Sequence, residues 1–164
     1  MNGKFLVLER SIQEDLEAVE EIYASLPPAP LSEEEPQEKL IVVAFHLHAL
    51  YTAVENIFRN IAKTFENTLD DTAGWHTELL RRMRLDLSPV RPAVIDGATY
   101  EALDELRGFR HVFRSVYRLR LDARRLSIVL EFAWGMRQQL AARIDEFLAF
   151  VRGLRDSPDQ PAEA

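Results

Sequence analysis

A chain of 164 residues, 47% of them hydrophobic and 29% charged, has enough apolar material for one buried core and reads as a single domain. Without a cysteine it can build neither a disulfide framework nor a thiolate metal site or nucleophile. The net charge of -7 argues against a general nucleic-acid binder, but the charge is segregated: acids crowd residues 14–38, arginines crowd residues 107–125, and a local positive field can still attract a polyanion.

Hydrophobic residues recur at helical spacing almost throughout, so the expected fold is all-α. The first helix starts within the opening residues and runs to about Leu26, with Leu8, Ile12, Leu16, Val19, Ile22, Tyr23 and Leu26 on one face; Pro27, Pro28 and Pro30 end it. Ser32 followed by Glu35 has the form of a capping box. A long second helix then carries apolar positions from Leu40 to Phe65, with Pro36 tolerated only in its first turn. Within it the run from Leu40 to Leu50 is interrupted by His46 and His48 and is too short to cross a bilayer. Nothing near the start has the form of a secretory leader, and the expected setting is the cytoplasm, with no membrane. His46 and His48, two apart on a helix, face different directions and predict packing or capping roles rather than a shared metal ion.

After a break from Asp70 to Gly74, a short third helix carries Trp75, Leu79, Leu80 and Met83. Pro89, Pro92 and Gly97 mark an ordered loop before a fourth helix from about Thr99 to Leu121. A fifth begins near Asp122, and its seam of Leu126, Leu130, Ala133, Leu140, Ile144, Phe147, Val151 and Leu154 is broken only by Arg137, as in bundle packing. The domain is expected over 1–155, with a polar, disordered tail over 156–164.

The fourth helix carries the most informative stretch. At about 100° per residue, Arg107, Arg110, His111, Arg114 and Arg118 fall in one stripe. Leu106, Phe109, Val112, Phe113, Val116 and Leu119 fall opposite, so one face is expected in the core and the other toward something negative. Like charges one turn apart cost a few tenths of a kcal/mol, a repulsion that an anion would relieve. The other reading is an arginine-rich solvated face balanced by acidic neighbours. Phosphate-cradling glycine loops, His-Glu-x-x-His pairs and nucleophile elbows are all missing from the sequence.

The segment from Arg110 to Tyr117, Arg-His-Val-Phe-Arg-Ser-Val-Tyr, resembles the signature of HEPN-domain ribonucleases, particularly HepT-like toxins. Residues 47–58, 75–80 and 100–107 resemble HepT-like segments in the same order. The resemblance implies a HEPN-type antiparallel bundle of about five helices, a homodimer with the two motif helices facing one composite cleft, and a nucleotidyltransferase antitoxin as partner. It also implies metal-independent RNA cleavage without a cofactor, in which the ribose 2′-hydroxyl attacks the adjacent phosphate.

Arg110 matches the motif arginine, able to hold phosphate with a planar, permanently charged fork. Ser115 stands where the family carries its catalytic histidine, and a hydroxyl does not exchange protons near neutral pH. Loss of a placed acid or base typically removes about 10²–10⁴-fold in rate. His111, one turn before Ser115, is a candidate substitute, displaced by about 5–6 Å. Arg107, Arg114 and Arg118 are candidate RNA contacts. Tyr117 matches the motif tyrosine, which the resemblance implies the antitoxin modifies with AMP; added phosphates beside Arg114 and Arg118 would repel RNA. The alternative for Tyr117 is a core-border tyrosine with a wet hydroxyl. Tyr51, Glu55, Asn56 and His76 are candidates for a polar pocket or interface, or else for a solvated helix face. The expected function is therefore a HepT-like toxin scaffold impaired at Ser115. The alternative is a non-enzymatic HEPN module that binds RNA, nucleotide or a partner protein.

Overall fold

The computed structural model describes residues 3–67, 74–115 and 120–157, with the side chain of Ser115 outside that description. Five helices follow in order: α1 (Gly3–Ser25), α2 (Gln37–Phe65), α3 (Trp75–Met83), α4 (Gly97–Ser115) and α5 (Ala123–Asp156). No strand occurs among the described residues, and an isolated bridge between Leu87 and Arg91 is the only ladder pairing there.

Cross-helix contacts give the directions. Phe5 stacks on Phe65 and Asn56 reaches Asp15, so α1 runs antiparallel to α2. Tyr23 binds the Ala133 carbonyl while Glu9 pairs with Arg152, so α1 is also antiparallel to α5. Glu55 lies by Arg110 and His48 by Phe113, which sets α4 antiparallel to α2. Four long helices thus form an up-and-down bundle, and short α3 packs on α2 and α4. The core is one cluster containing Ile12, Leu47, Val54, Ile57, Leu103, Leu130 and Ile144. The central helix α2 is long and apolar enough to span a bilayer by composition, but eleven of its residues are buried in this core.

Side chains fasten the connections where the backbone cannot. Tyr23 Oη donates to the Ala133 carbonyl at 2.6 Å and Trp134 Nε1 to the Pro27 carbonyl at 2.8 Å. Ser127 Oγ accepts from the Leu31 amide, and the Gln37 amide group clamps the N–H and carbonyl of Leu121. Asp96 and Asp122 accept from the amides of Thr99 and Arg124, offsetting orphan donors at the starts of α4 and α5. Arg137, the break in the α5 seam, lies 5.0 Å over the Tyr23 ring and pairs with Glu20, so its cation stays satisfied at the core's border.

Three sequence expectations need correction. Ser32 does not cap α2: its hydroxyl accepts from the Glu34 amide in a local turn, Glu35 pairs with Lys39, and Pro36 occupies the cap position instead of the first turn. The fourth helix does not extend to Leu121: its described part ends at Ser115, and residues 120–122 are non-helical, held by Gln37. Asp156 belongs to α5, with Ser157 its cap, and the remainder of the expected tail lies outside the described residues.

The loop after α3 hides an arginine. Arg91 is 1% exposed and donates to Glu66 at 2.6 Å and to the carbonyls of Leu85, Pro92 and Arg82. Glu66 is also held by Arg82 at 3.1 Å. Removing one member of a buried charge pair typically costs about 3–5 kcal/mol. Arg91→Ala should lower stability by that order in urea unfolding, with Arg91→Met/Glu66→Met recovering most of the loss.

Candidate functional site

The face of α2 away from α1 carries polar residues one turn apart: His48, Tyr51, Glu55 and Arg59. They look toward α3 and α4. Glu55 is 5% exposed, and a carboxylate so withdrawn from water requires donors. It has them on each side. His76 Nδ1 of α3 lies 2.6 Å from Oε2, and the Arg110 guanidinium of α4 lies 3.6 Å from Oε1. Tyr51 completes the set: burial first, then the charge and hydrogen bond of Glu55, push its pKa above the usual phenol range.

Arg110 therefore does not point outward as the helical stripe predicts. Its side chain is 14% exposed, 3.4 Å from His76 Nδ1 and above the Tyr51 ring. The reason is the rotation of α4: Leu103, Leu106, Arg110 and Phe113 form its inward line, because Glu55 waits opposite position 110. Val112, expected in the core, is 55% exposed instead. His111 and Arg114 are exposed, and Arg107 pairs with Asp104 of its own helix. Asn56 turns to α1, where its amide donates to both carboxylate oxygens of Asp15, so it is not part of this cluster. Ser115 contributes the last turn of α4; Tyr117 and Arg118 lie outside the described residues.

His76 is held firmly. Its ring stacks on that of Trp75 at 3.7 Å, and Arg59 lies 4.9 Å over Trp75. Trp75, which opens the third helix, is a half-buried platform packed against the core. His48 is the residue that sequence reasoning missed. It lies beside Phe113, and burial, followed by the charges of Arg110 and Arg114, lowers its pKa below the ordinary 6.5; Glu55 opposes this weakly. Its spacing to Tyr51 and Glu55 was the available signal. Among the described residues, His48 Nε2 and Arg110 Nε are buried without hydrogen-bond partners, and no cluster of three His, Asp or Glu residues could hold a metal ion.

The cluster thus offers a planar cation with an unpartnered Nε, a carboxylate-bound imidazole and flanking arginines, a combination suited to a phosphate-bearing anion. Fold and site together define an all-α bundle with a polar cluster packed between its second, third and fourth helices. Residues 42–151 match the HepT-like protein family, and the chain belongs to it. The match begins inside α2, ends inside α5, and includes every residue of the cluster. Among curated proteins and solved structures no match was found.

Because the folded state lowers the His48 pKa, the unfolded chain binds that proton first as pH falls through 6.5. His48 therefore withdraws stability below that pH, until the folded form is also protonated. Between pH 7.5 and 5.5, urea midpoints should fall further for the native chain than for His48→Gln; equal falls would contradict the assignment.

Proposed function

We propose that this chain is the toxin-type ribonuclease member of a HEPN/nucleotidyltransferase pair, a cytoplasmic, metal-independent RNA endonuclease weakened by Ser115 at the motif histidine position. The observation that carries this reading is Arg110. The motif arginine is brought beside a buried carboxylate and the histidine that carboxylate holds, rather than left on an open face. Its fork can hold a phosphate and offset charge building on the phosphorane. Family membership supports the HEPN-type module.

Homodimerisation with the α4 helices facing one another belongs to the same proposal. Exposed Ile41, Val42 and Phe45 on α2 and Val112 on α4 supply apolar surface for a second copy beside the cluster. Arg107, Arg114 and Arg118 would then bind RNA from both protomers, and AMP added to Tyr117 by the antitoxin would cancel their field. The second reading, a HEPN module that binds RNA, nucleotide or a protein without cleaving, is favoured by Ser115 itself.

Ser115→His should raise RNA cleavage in EDTA by about 10²-fold or more, leaving 2′,3′-cyclic phosphate ends. Arg110→Ala in that background should abolish the gain. RNA bound but uncut by Ser115→His would favour the binding module. Light scattering at micromolar concentration should report a dimer, and a monomer would contradict the composite cleft.

A further inference from the structure

We infer that His76, oriented by Glu55, is the proton acceptor this chain uses on RNA in place of the imidazole missing at position 115. The inference rests on the ribonuclease reading above and assigns that reading a catalytic residue outside the motif helix.

Four observations converge on it. First, His76 Nδ1 is 2.6 Å from the Glu55 carboxylate, a hydrogen bond that fixes the ring and leaves Nε2 as the nitrogen available to a substrate. Second, Glu55 is itself buried and bound by Tyr51 and Arg110, so the pair is positioned by packing and not by a mobile surface contact. Third, the His76 side chain is 31% exposed, which admits a substrate while Glu55 stays dry. Fourth, Arg110 Nη1 lies 3.4 Å from His76 Nδ1, so the guanidinium and the imidazole are neighbours, and a phosphate reaching past the ring edge to the fork lies within one side chain's reach of Nε2. Glu55 from α2 and Arg110 from α4 face His76 directly; Tyr51 lies on Glu55, and Arg59 lies over the Trp75 ring on which His76 stacks. His111 is exposed on α4.

The step balances without a metal or added reagent. His76 Nε2 takes the proton of the ribose 2′-hydroxyl, the 2′-oxygen bonds to phosphorus, and the bond from phosphorus to the 5′-oxygen breaks. The departing oxygen takes a proton from water, and the hydroxide left behind recovers the proton held on His76. The products are a 2′,3′-cyclic phosphate and a 5′-hydroxyl. Arg110 stabilises the phosphorane charge, and Glu55 is a positioning residue that steadies the imidazolium as it forms.

The test is cleavage of labelled single-stranded RNA in EDTA by the native chain, His76→Ala, Ser115→His and the double variant. The inference expects slow cleavage by the native chain and a loss of about 10²-fold or more in kcat for His76→Ala, with RNA affinity unchanged. Imidazole added to the solution should restore the His76→Ala rate, which a mere cross-brace would not allow. Should His76→Ala fold poorly, His76→Gln replaces it, with loss of the acidic limb of the native pH profile as the readout. Native cleavage unaffected by His76→Ala, or lost without imidazole rescue, would overturn the inference and leave the ribonuclease reading standing. A silent native chain beside an active Ser115→His would do the same. Silence from both would overturn the ribonuclease reading itself, and the inference with it.

Discussion

A carboxylate taken out of water in the middle of a helix must be compensated by donors from its surroundings, and at Glu55 those donors come from two other helices. That requirement turns α4 so that position 110 faces inward and draws the start of α3 against α2. The cost of burying one acid is met by a histidine, an arginine and a tyrosine, all of which have further chemistry available. The same requirement keeps polarity between α2 and α4, where apolar side chains would leave packing alone.

Charge balance elsewhere in the bundle follows the same logic with a different outcome. Glu9, 5% exposed, is held by Arg152 and Arg155, and Glu66 by Arg82 and Arg91. These arginines serve the fold. Those around α4 are more accessible: Arg110 is 14% exposed against none for the Arg91 side chain, and Arg114 is exposed. A chain with net charge -7 therefore concentrates usable positive charge beside one polar cluster.

The helices were legible because apolar periodicity and breakers agree locally; Pro27, Gly97 and Asp122 mark boundaries found within a residue or two. The α5 seam was legible too, including its break at Arg137. What periodicity could not show was rotation. A stripe of arginines reads as an outer face until a buried acid on another helix claims one of them, and Arg110 and Glu55 are far apart in sequence. Arg91 was illegible for the same reason, since an arginine in a loop reads as solvated unless its partner, Glu66, is known to be buried. Ser32 and Glu35 had the right spacing for a capping box, but Pro36 moved the helix start beyond them. Of the site, the family-like segments gave Tyr51, Glu55, His76 and Arg110. His48 was within reach of the same argument, through its spacing from Tyr51 and Glu55.

The proposed chemistry rests on one claim, that Glu55 holds His76 through Nδ1 and leaves Nε2 for a substrate anion bound by Arg110. Imidazole nitrogen NMR of the folded protein, recorded with and without a short non-cleavable RNA, tests it most directly. The account predicts a His76 signal protonated at Nδ1, with the Nε2 resonance shifting on RNA addition and the shift absent in Arg110→Ala. A ring protonated at Nε2, or one whose signals ignore RNA, would contradict it.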